Sequence, residues 1–134
     1  MTQIFSAVKA VIVKEGKILF IKQTVKGKEF WDFPGGRLKF GENPFETLKR
    51  EVKEETNLDI EILKPVGLWW YFRERDGNQV ICNTFLCRAE GQVSKNVDEE
   101  DEEIKEFKWM TKEEFLKGKH TVSHESFNQL IFNL

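Results

Sequence analysis

Three glutamates lie within five residues of one predicted helix: Glu51, Glu54 and Glu55. At 100° per residue, their side chains fall within an arc of roughly 100° on one side of that helix. Each like-charged pair at i+3 or i+4 costs roughly 0.2–0.5 kcal/mol in an isolated helix. Clustered carboxylates and nearby backbone carbonyls are the hard oxygen ligands that suit Mg²⁺ or Mn²⁺. The spacing therefore predicts a divalent-metal site, and the plainer alternative is a solvated acidic helix face.

The cations near these acids are poorly placed to relieve their repulsion. Lys49 and Lys53 project from the other side of the helix, whereas Arg50 lies four residues before Glu54 and can pair with it. One arginine against three acids leaves an excess of negative charge. This excess favours the metal-site interpretation.

A helix over residues 43–56 must position these acids. Asn43 can cap its first turn, Pro44 suits the first helical position, and Asn57 tolerates the left-handed conformation that ends many helices. The residues expected to face a core form one apolar stripe: Phe45, Leu48 and Val52.

Strands dominate the rest of the chain, and β-branched and aromatic runs mark them. A hairpin is predicted at 4–23 around a Gly-bearing turn, and a short strand at 30–33 is stopped by Pro34-Gly35-Gly36. Two long strands flank the turn at 75–78, and a strand at 104–110 precedes two short helices. We expect one α+β domain over residues 1–134, with helices packed on a mixed sheet.

The composition excludes some classes of function. A net charge of −2 argues against binding a nucleic-acid polymer, and no apolar run approaches the ~20 residues of a membrane span. Cys82 and Cys87 are five apart in one predicted strand, so they should face opposite sides and stay reduced. We expect a cytoplasmic protein without a signal peptide.

The stretch from Gly36 to Leu58 resembles the Nudix hydrolase box, G-x5-E-x7-R-E-U-x-E-E-x-G-U, in which U is a bulky aliphatic residue. Every defined position matches except Asn57, where the family has Gly. The departure is mild, because Asn is the next most permissive residue at positive φ. The resemblance implies a Nudix-type α/β/α sandwich around a mixed β-sheet.

The resemblance also implies Mg²⁺- or Mn²⁺-dependent hydrolysis of a pyrophosphate bond in a nucleoside triphosphate or a substituted nucleoside diphosphate, releasing a nucleoside monophosphate. The implied metal ligands are the Gly36 carbonyl, Glu51, Glu54 and Glu55, with Glu42 either binding metal through water or holding Arg50. The implied catalytic residues include Glu51, Glu54 and Arg50. Arg50 is implied to orient carboxylates and not to act on the substrate directly. The general base is either a box glutamate or one from a later acidic loop, namely Glu99, Glu100, Glu102 or Glu103, and Glu103 is the favoured choice. A solvated loop is the alternative for that acidic run.

Residues outside the box are candidates for substrate binding. Trp69 and Tyr71 share one face of a predicted strand and can stack on a nucleobase, although packing of both strand faces is the alternative. Arg37 and Lys39, beside the Gly-Gly turn, are candidates for phosphate contact. Lys9 and Lys22 on the first hairpin are further candidates, and a surface charge is the alternative for all four. His120 and His124 lack a zinc pattern and are expected at the surface.

Two functions from different classes fit these residues. One is a metal-dependent pyrophosphohydrolase acting on a small nucleotide, and the other is a Nudix-fold module that senses a nucleotide without turnover. The complete set of box acids favours the enzyme. Pairing of strand edges between two copies would give a homodimer.

Overall fold

The computed structural model describes residues 1–95 and 104–134. Seven strands and three helices lie in these residues. In chain order they are β1 (Ile4–Lys14), β2 (Lys17–Val25), β3 (Lys28–Asp32), β4 (Gly35–Arg37), α1 (Pro44–Thr56), β5 (Asp59–Phe72), β6 (Gln79–Glu90), β7 (Ile104–Met110), α2 (Lys112–Lys117) and α3 (Glu125–Phe132). None of the helices in these two ranges is long and apolar enough to cross a membrane.

The sheet is mixed, as expected for this α+β chain. Its strand order is β3-β2-β1-β6-β5, with β4 also paired to β1 and β7 to β2. The pair β1–β6 is parallel, and the other strand pairs are antiparallel. The predicted hairpin of β5 and β6 and the predicted strand at 104–110 are confirmed.

Strand β1 is central, and both of its faces are covered. Its even-numbered core residues pack with Leu48 and Val52 of α1, whereas its odd-numbered core residues pack with Phe115 of α2 and Phe127 of α3. Because alternate residues of a strand point to opposite faces, α1 lies on one side of the sheet and α2 and α3 lie on the other. The α/β/α sandwich is therefore confirmed.

The first hairpin is confirmed only near its turn. Strands β1 and β2 pair at Val13–Ile18 and Lys14–Lys17, and then they separate. Beyond that point β1 continues beside β6 and β4, whereas β2 pairs with β3 and β7. After the separation, β1 is paired with β6 and with β4, the strand that follows the corner after β3.

Helix α1 begins and ends as its sequence predicts. Asn43 Oδ1 accepts hydrogen bonds from two backbone N–H groups of the first turn, at 2.9 and 3.2 Å, and Asn57 adopts a left-handed φ of 64°. The predicted apolar stripe is partly wrong. Leu48 and Val52 are fully buried, but Phe45 is 48% exposed, because it lies in the first turn at the rim of the covered surface.

The two cysteines behave as predicted. Both are buried free thiols in β6, and they belong to the two different core clusters on opposite sides of the sheet. Burial raises the pKa of each thiol to about 12.

Candidate active site

The corner at residues 33–36 comprises the link between β3 and β4 and the first two residues of β4, and it lies against β1. The Ala10 N–H donates to the Pro34 carbonyl at 2.9 Å, and Lys9 stands opposite Gly35 in the β1–β4 pair. Gly35 has a φ of +148°, and a Cβ at this position would lie 2.0 Å from the Val8 carbonyl oxygen. Only glycine fits this conformation and this close approach. The sequence signal Pro-Gly-Gly therefore marks a tight backbone contact.

Glu55 joins helix α1 to this corner. The residue is only 3% exposed, and its Oε1 accepts a hydrogen bond from the Gly35 N–H at 2.7 Å. The structure places Glu55 inside the buried face of α1. The backbone bond gives this buried carboxylate one partner, as a buried polar group requires.

Glu51 lies one helical turn earlier and contacts the second glycine of the corner. A Cβ on Gly36 would lie 2.6 Å from Glu51 Cδ, so the bare glycine backbone makes room for this carboxylate. Glu51 and Glu55 thus lie against two successive glycines. The structure brings together three of the predicted metal-site residues, namely Gly36, Glu51 and Glu55.

Arg50 binds three carboxylates. Its guanidinium donates to Glu54 at 3.1 Å, to Glu51 at 3.2 Å and to Glu42 at 3.4 Å. The hydrogen bond with Glu54, together with the neighbouring negative charges, raises the pKa of Arg50 above its usual range despite some burial. The contacts expected between Arg50 and the box acids are present, and they place Glu42 and Glu54 beside Glu51.

The donor chemistry of this cluster fits a hard divalent cation. Glu42, Glu51 and Glu54 carry three negative charges against one on Arg50, a combined charge of −2. Their carboxylates already surround a cationic group, and oxygen ligands are those that Mg²⁺ and Mn²⁺ prefer. Across residues 1–95 and 104–134, no three acidic, histidine or cysteine side chains form a ready-made cage. Magnesium is usually held by one or two carboxylates with waters and substrate phosphates, so such a cage is not required.

The sequence analysis did not predict the buried ion pair that lies next to Phe33 of the corner. The Lys9 ammonium donates to Asp32 Oδ2 at 2.9 Å, and the two residues are 6% and 5% exposed. Burial opposes the charge on Lys9, but the attraction of Asp32, aided by Cys82, Tyr71 and Glu55, outweighs it and raises the pKa of Lys9. The prediction of a phosphate-binding or surface Lys9 is therefore wrong. The sequence signal for a buried partner was that Lys9 is the one charged residue in the apolar run at residues 7–13.

The candidate phosphate ligands Arg37 and Lys39 are exposed and follow the corner directly. The Arg37 guanidinium lies 4.0 Å from the centroid of the Phe5 ring, which is a favourable cation–π distance. Lys22 instead pairs with Glu29 at 3.5 Å on β2 and β3. Lys39 lies beside the carboxylate cluster, because its backbone N–H donates to Glu42 Oε1 at 2.7 Å. The Arg37 guanidinium instead lies on Phe5, and Lys22 has a separate partner.

The candidate base-stacking residues differ in burial. Trp69 has no exposed surface and packs edge-on against Phe33 and Phe127, so the structure corrects its assignment to substrate binding. Trp69 packs in the core, which was the alternative to base stacking, because α3 covers this face of β5. Tyr71 is partly buried and stacks on Trp69 with ring centroids 5.8 Å apart. Burial raises the pKa of the Tyr71 hydroxyl.

The histidines have structural partners. His120 Nδ1 lies 2.8 Å from the Phe115 carbonyl oxygen, and its ring stacks on that of Phe115. His124 caps α3 by accepting from the Ser126 N–H at 3.0 Å. Both side chains are partly exposed, so they lie at the surface as expected, and these contacts hold them there. The candidate bases Glu99, Glu100, Glu102 and Glu103 lie outside the described residues.

Comparisons with known proteins match most of this chain. The family model of the NUDIX domain matches residues 4–131. Nudix hydrolase 5 of Arabidopsis thaliana is 29% identical over 79% of this chain and 35% of its own length. The MutT-like protein of Streptomyces ambofaciens is 30% identical over 69% of this chain and 57% of its own length. The chain thus spans about a third to somewhat over half the length of these curated relatives.

Solved structures agree in fold. A MutT protein from Methanosarcina mazei Go1 has a TM-score of 0.82 at 23% identity, covering 98% of this chain and 92% of that one. A MutT NUDIX hydrolase from Burkholderia pseudomallei has a TM-score of 0.79 at 20% identity, covering 98% of both chains. With the family model matched along nearly the whole chain, this protein belongs to the NUDIX domain family.

Proposed function

We propose that this protein is a Mg²⁺- or Mn²⁺-dependent pyrophosphohydrolase. Its substrate is a nucleoside triphosphate or a nucleoside diphosphate linked to another group, and its product is a nucleoside monophosphate. The observation that carries the proposal is the docking of Glu51 and Glu55 against Gly35 and Gly36, with Glu54 drawn to the same cluster by Arg50. The proposed unit is a single Nudix domain over residues 1–134.

The proposed metal ligands are Glu51, Glu54, Glu55 and the Gly36 carbonyl, with Glu42 as a further candidate. A bound divalent ion supplies charge neutralisation for a polyanionic substrate and lowers the pKa of a coordinated water. Arg50 keeps the carboxylates oriented through its three hydrogen bonds. Such preorganised charge is the main source of rate enhancement when charge develops on phosphate oxygens.

Two cationic side chains near this cluster are proposed to bind the substrate. Arg37 and Lys39 are exposed, lie next to the corner and are proposed to bind phosphate oxygens. Tyr71 stays a candidate for contact with the nucleobase because part of its surface is exposed. A box glutamate or Glu103 is proposed as the general base.

The names of the relatives support hydrolysis of phosphate compounds as the broad class of reaction. The curated matches include Phosphatase NudJ of Escherichia coli, which is 37% identical over 40% of this chain. The structural matches include an ADP-ribose pyrophosphatase from Streptococcus suis at 21% identity, which shows a shared fold. The two names state different activities, a phosphatase and an ADP-ribose pyrophosphatase, so a panel of nucleotides is the appropriate assay. A cytoplasmic location and a homodimeric assembly stay predictions.

The decisive experiment measures the products released from such a panel in Mg²⁺ or Mn²⁺. The panel contains nucleoside triphosphates, nucleoside diphosphate sugars, ADP-ribose and dinucleoside polyphosphates, and chromatography detects a nucleoside monophosphate. Glu54→Gln replaces the charged carboxylate with a neutral amide of nearly the same shape. The variant is expected to abolish turnover. The matched control is Glu46→Gln, an exposed glutamate in the first turn of the same helix.

Each outcome of this experiment has a defined meaning. Metal-dependent release by the wild type and by Glu46→Gln, but not by Glu54→Gln, supports the enzyme. Nucleotide binding without product from any panel member supports a nucleotide-sensing module instead. Equal turnover by both variants would remove Glu54 from the proposed site.

A further inference from the structure

Lys9 and Asp32 form a buried ion pair that lies outside the residues proposed to bind metal or substrate. Both side chains are 7% exposed, and Nζ and Oδ2 are 2.9 Å apart. Replacing a buried pair with apolar residues of similar volume is often neutral or stabilising, because the desolvation of two charges offsets their attraction. Core stability alone therefore does not account for a charged pair among apolar neighbours.

The pair binds both backbone polar groups of Phe33. The Phe33 N–H donates to Asp32 Oδ1 at 2.7 Å, and the Phe33 carbonyl accepts from Lys9 Nζ at 3.4 Å. Phe33 is fully buried and lies between the end of β3 and the start of β4, outside the strand ladders. Buried backbone groups need partners, and here one ion pair supplies both.

The backbones of the next two residues of the corner also have hydrogen-bond partners. The Pro34 carbonyl accepts from the Ala10 N–H at 2.9 Å, and the Gly35 N–H donates to Glu55 at 2.7 Å. A continuous set of bonds therefore runs from Lys9 and Asp32 through residues 33–35 to Glu55. Because a misplacement of about 1 Å can cost catalysis about 100-fold, the position of this corner matters for the carboxylates beside it.

We propose that Lys9 and Asp32 are positioning residues that set the Phe33–Gly36 backbone, and through it the placement of Glu55 and Gly36 in the metal site. The metal part of this inference rests on the proposed function. The backbone part does not, and it is measurable without metal or substrate.

The test compares two double variants. Lys9→Met with Asp32→Leu removes both charges of the pair and both bonds to Phe33, so neither partner of the pair is left charged without the other. The matched control, Lys22→Met with Glu29→Leu, removes an ion pair at 3.5 Å whose side chains are 30% and 50% exposed. Amide hydrogen exchange of Gly35 is measured by NMR without metal, and the Mn²⁺ dissociation constant is measured by calorimetry.

In the Lys9/Asp32 double variant we expect the Gly35 amide to exchange about tenfold faster while central β6 amides keep their wild-type rates, because loss of one buried hydrogen bond is worth about that factor. The Mn²⁺ dissociation constant should rise about tenfold or more. The control variant should change neither quantity. A purely structural role predicts a uniform change across Gly35 and β6 with unchanged Mn²⁺ affinity, and that result would overturn the proposal.

A further variant keeps the test decisive if the double variant does not fold. Asp32→Asn keeps the shape of the side chain and weakens its bond to Lys9, so Gly35 exchange should accelerate selectively. Wild-type exchange at Gly35 in this variant would overturn the proposal. If the wild-type protein itself binds no Mn²⁺, the proposed function fails, and the Gly35 exchange result still decides the role of the pair.

Discussion

Gly36 and Glu51 are in such close contact that a single methyl group on residue 36 would lie 2.6 Å from the carboxylate carbon. The contact joins the corner after β3 to helix α1 at the centre of the proposed metal site. Its tightness explains why glycine stands at this position even though no left-handed φ requires it.

Gly36→Ala is expected to push Glu51 away and to weaken Mn²⁺ binding by about tenfold or more, since the rearrangement must move a ligand. Calorimetric titration of the folded variant checks this result. Gly27→Ala is the control, because Gly27 has a φ of +77° with open space around it. It should lose stability and keep its metal affinity, and an unchanged affinity in Gly36→Ala would contradict the expectation.

Arg50→Ala is expected to lower kcat by about 10- to 100-fold, because three carboxylates lose the group that orients them. Arg50→Lys should restore little, since a single ammonium cannot reproduce the planar fork of hydrogen bonds. Steady-state kinetics measure both. The control is Lys53→Ala on the same helix, whose ammonium pairs with Asp59 at 3.3 Å. Comparable losses in the control would show a general effect of helix charge.

Arg37→Ala is expected to raise KM about tenfold with little change in kcat, because an exposed charged donor to phosphate contributes mainly to binding. The kinetics of the best substrate in the panel test this separation. Arg88→Ala, which removes an exposed arginine paired with Glu61 on the β5–β6 hairpin, is the comparison variant. An unaltered KM in Arg37→Ala would exclude phosphate contact by this residue.

Stability is expected to fall as pH rises from about 9 towards 12. Burial holds the pKa of Cys82 and Cys87 at about 12, whereas their ordinary value is 9.0. Between these values the unfolded thiols lose protons and the folded ones keep them, so the unfolded state is favoured. Burial of Tyr71 acts in the same direction above its ordinary value. Urea unfolding across this pH range measures the slope, and Cys82→Ala with Cys87→Ala should make it shallower.

The same burial predicts that neither thiol reacts with a thiol reagent at pH 8 until the protein unfolds. Rapid modification of the native protein would contradict the buried positions in β6.

Asn57→Gly is expected to change the free energy of unfolding by less than about 1 kcal/mol. Glycine relieves the cost of the left-handed φ of 64°, but it removes the bond from Asn57 Nδ2 to Ser94 Oγ at 2.6 Å. Asn57→Ala keeps neither advantage and should lose about 1–2 kcal/mol. Thermal unfolding compares the three proteins, and turnover should stay at the wild-type level. A large loss of activity in Asn57→Gly would show that the asparagine has a direct role.

Local signals in the sequence were sufficient for the helix and for most strands. Asn43, Pro44 and Asn57 act on the backbone next to them, so the bounds of α1 follow from short-range chemistry. The alternation of residues that sends Cys82 and Cys87 to opposite cores is also a local property of a strand. The spacing of Arg50, Glu51 and Glu54 on one helix likewise fixed their mutual proximity.

The tertiary structure decided which of these side chains are buried and what they contact. Periodicity could not show that α3 covers Trp69, or that the first turn of α1 leaves Phe45 at the rim. Nor could it show the pairing of Lys9 with Asp32, because the two residues are 23 positions apart and meet only when β1 passes the corner after β3. The chemistry of the proposed site was thus determined by residue types and spacing, whereas its positioning required the packing of distant strands.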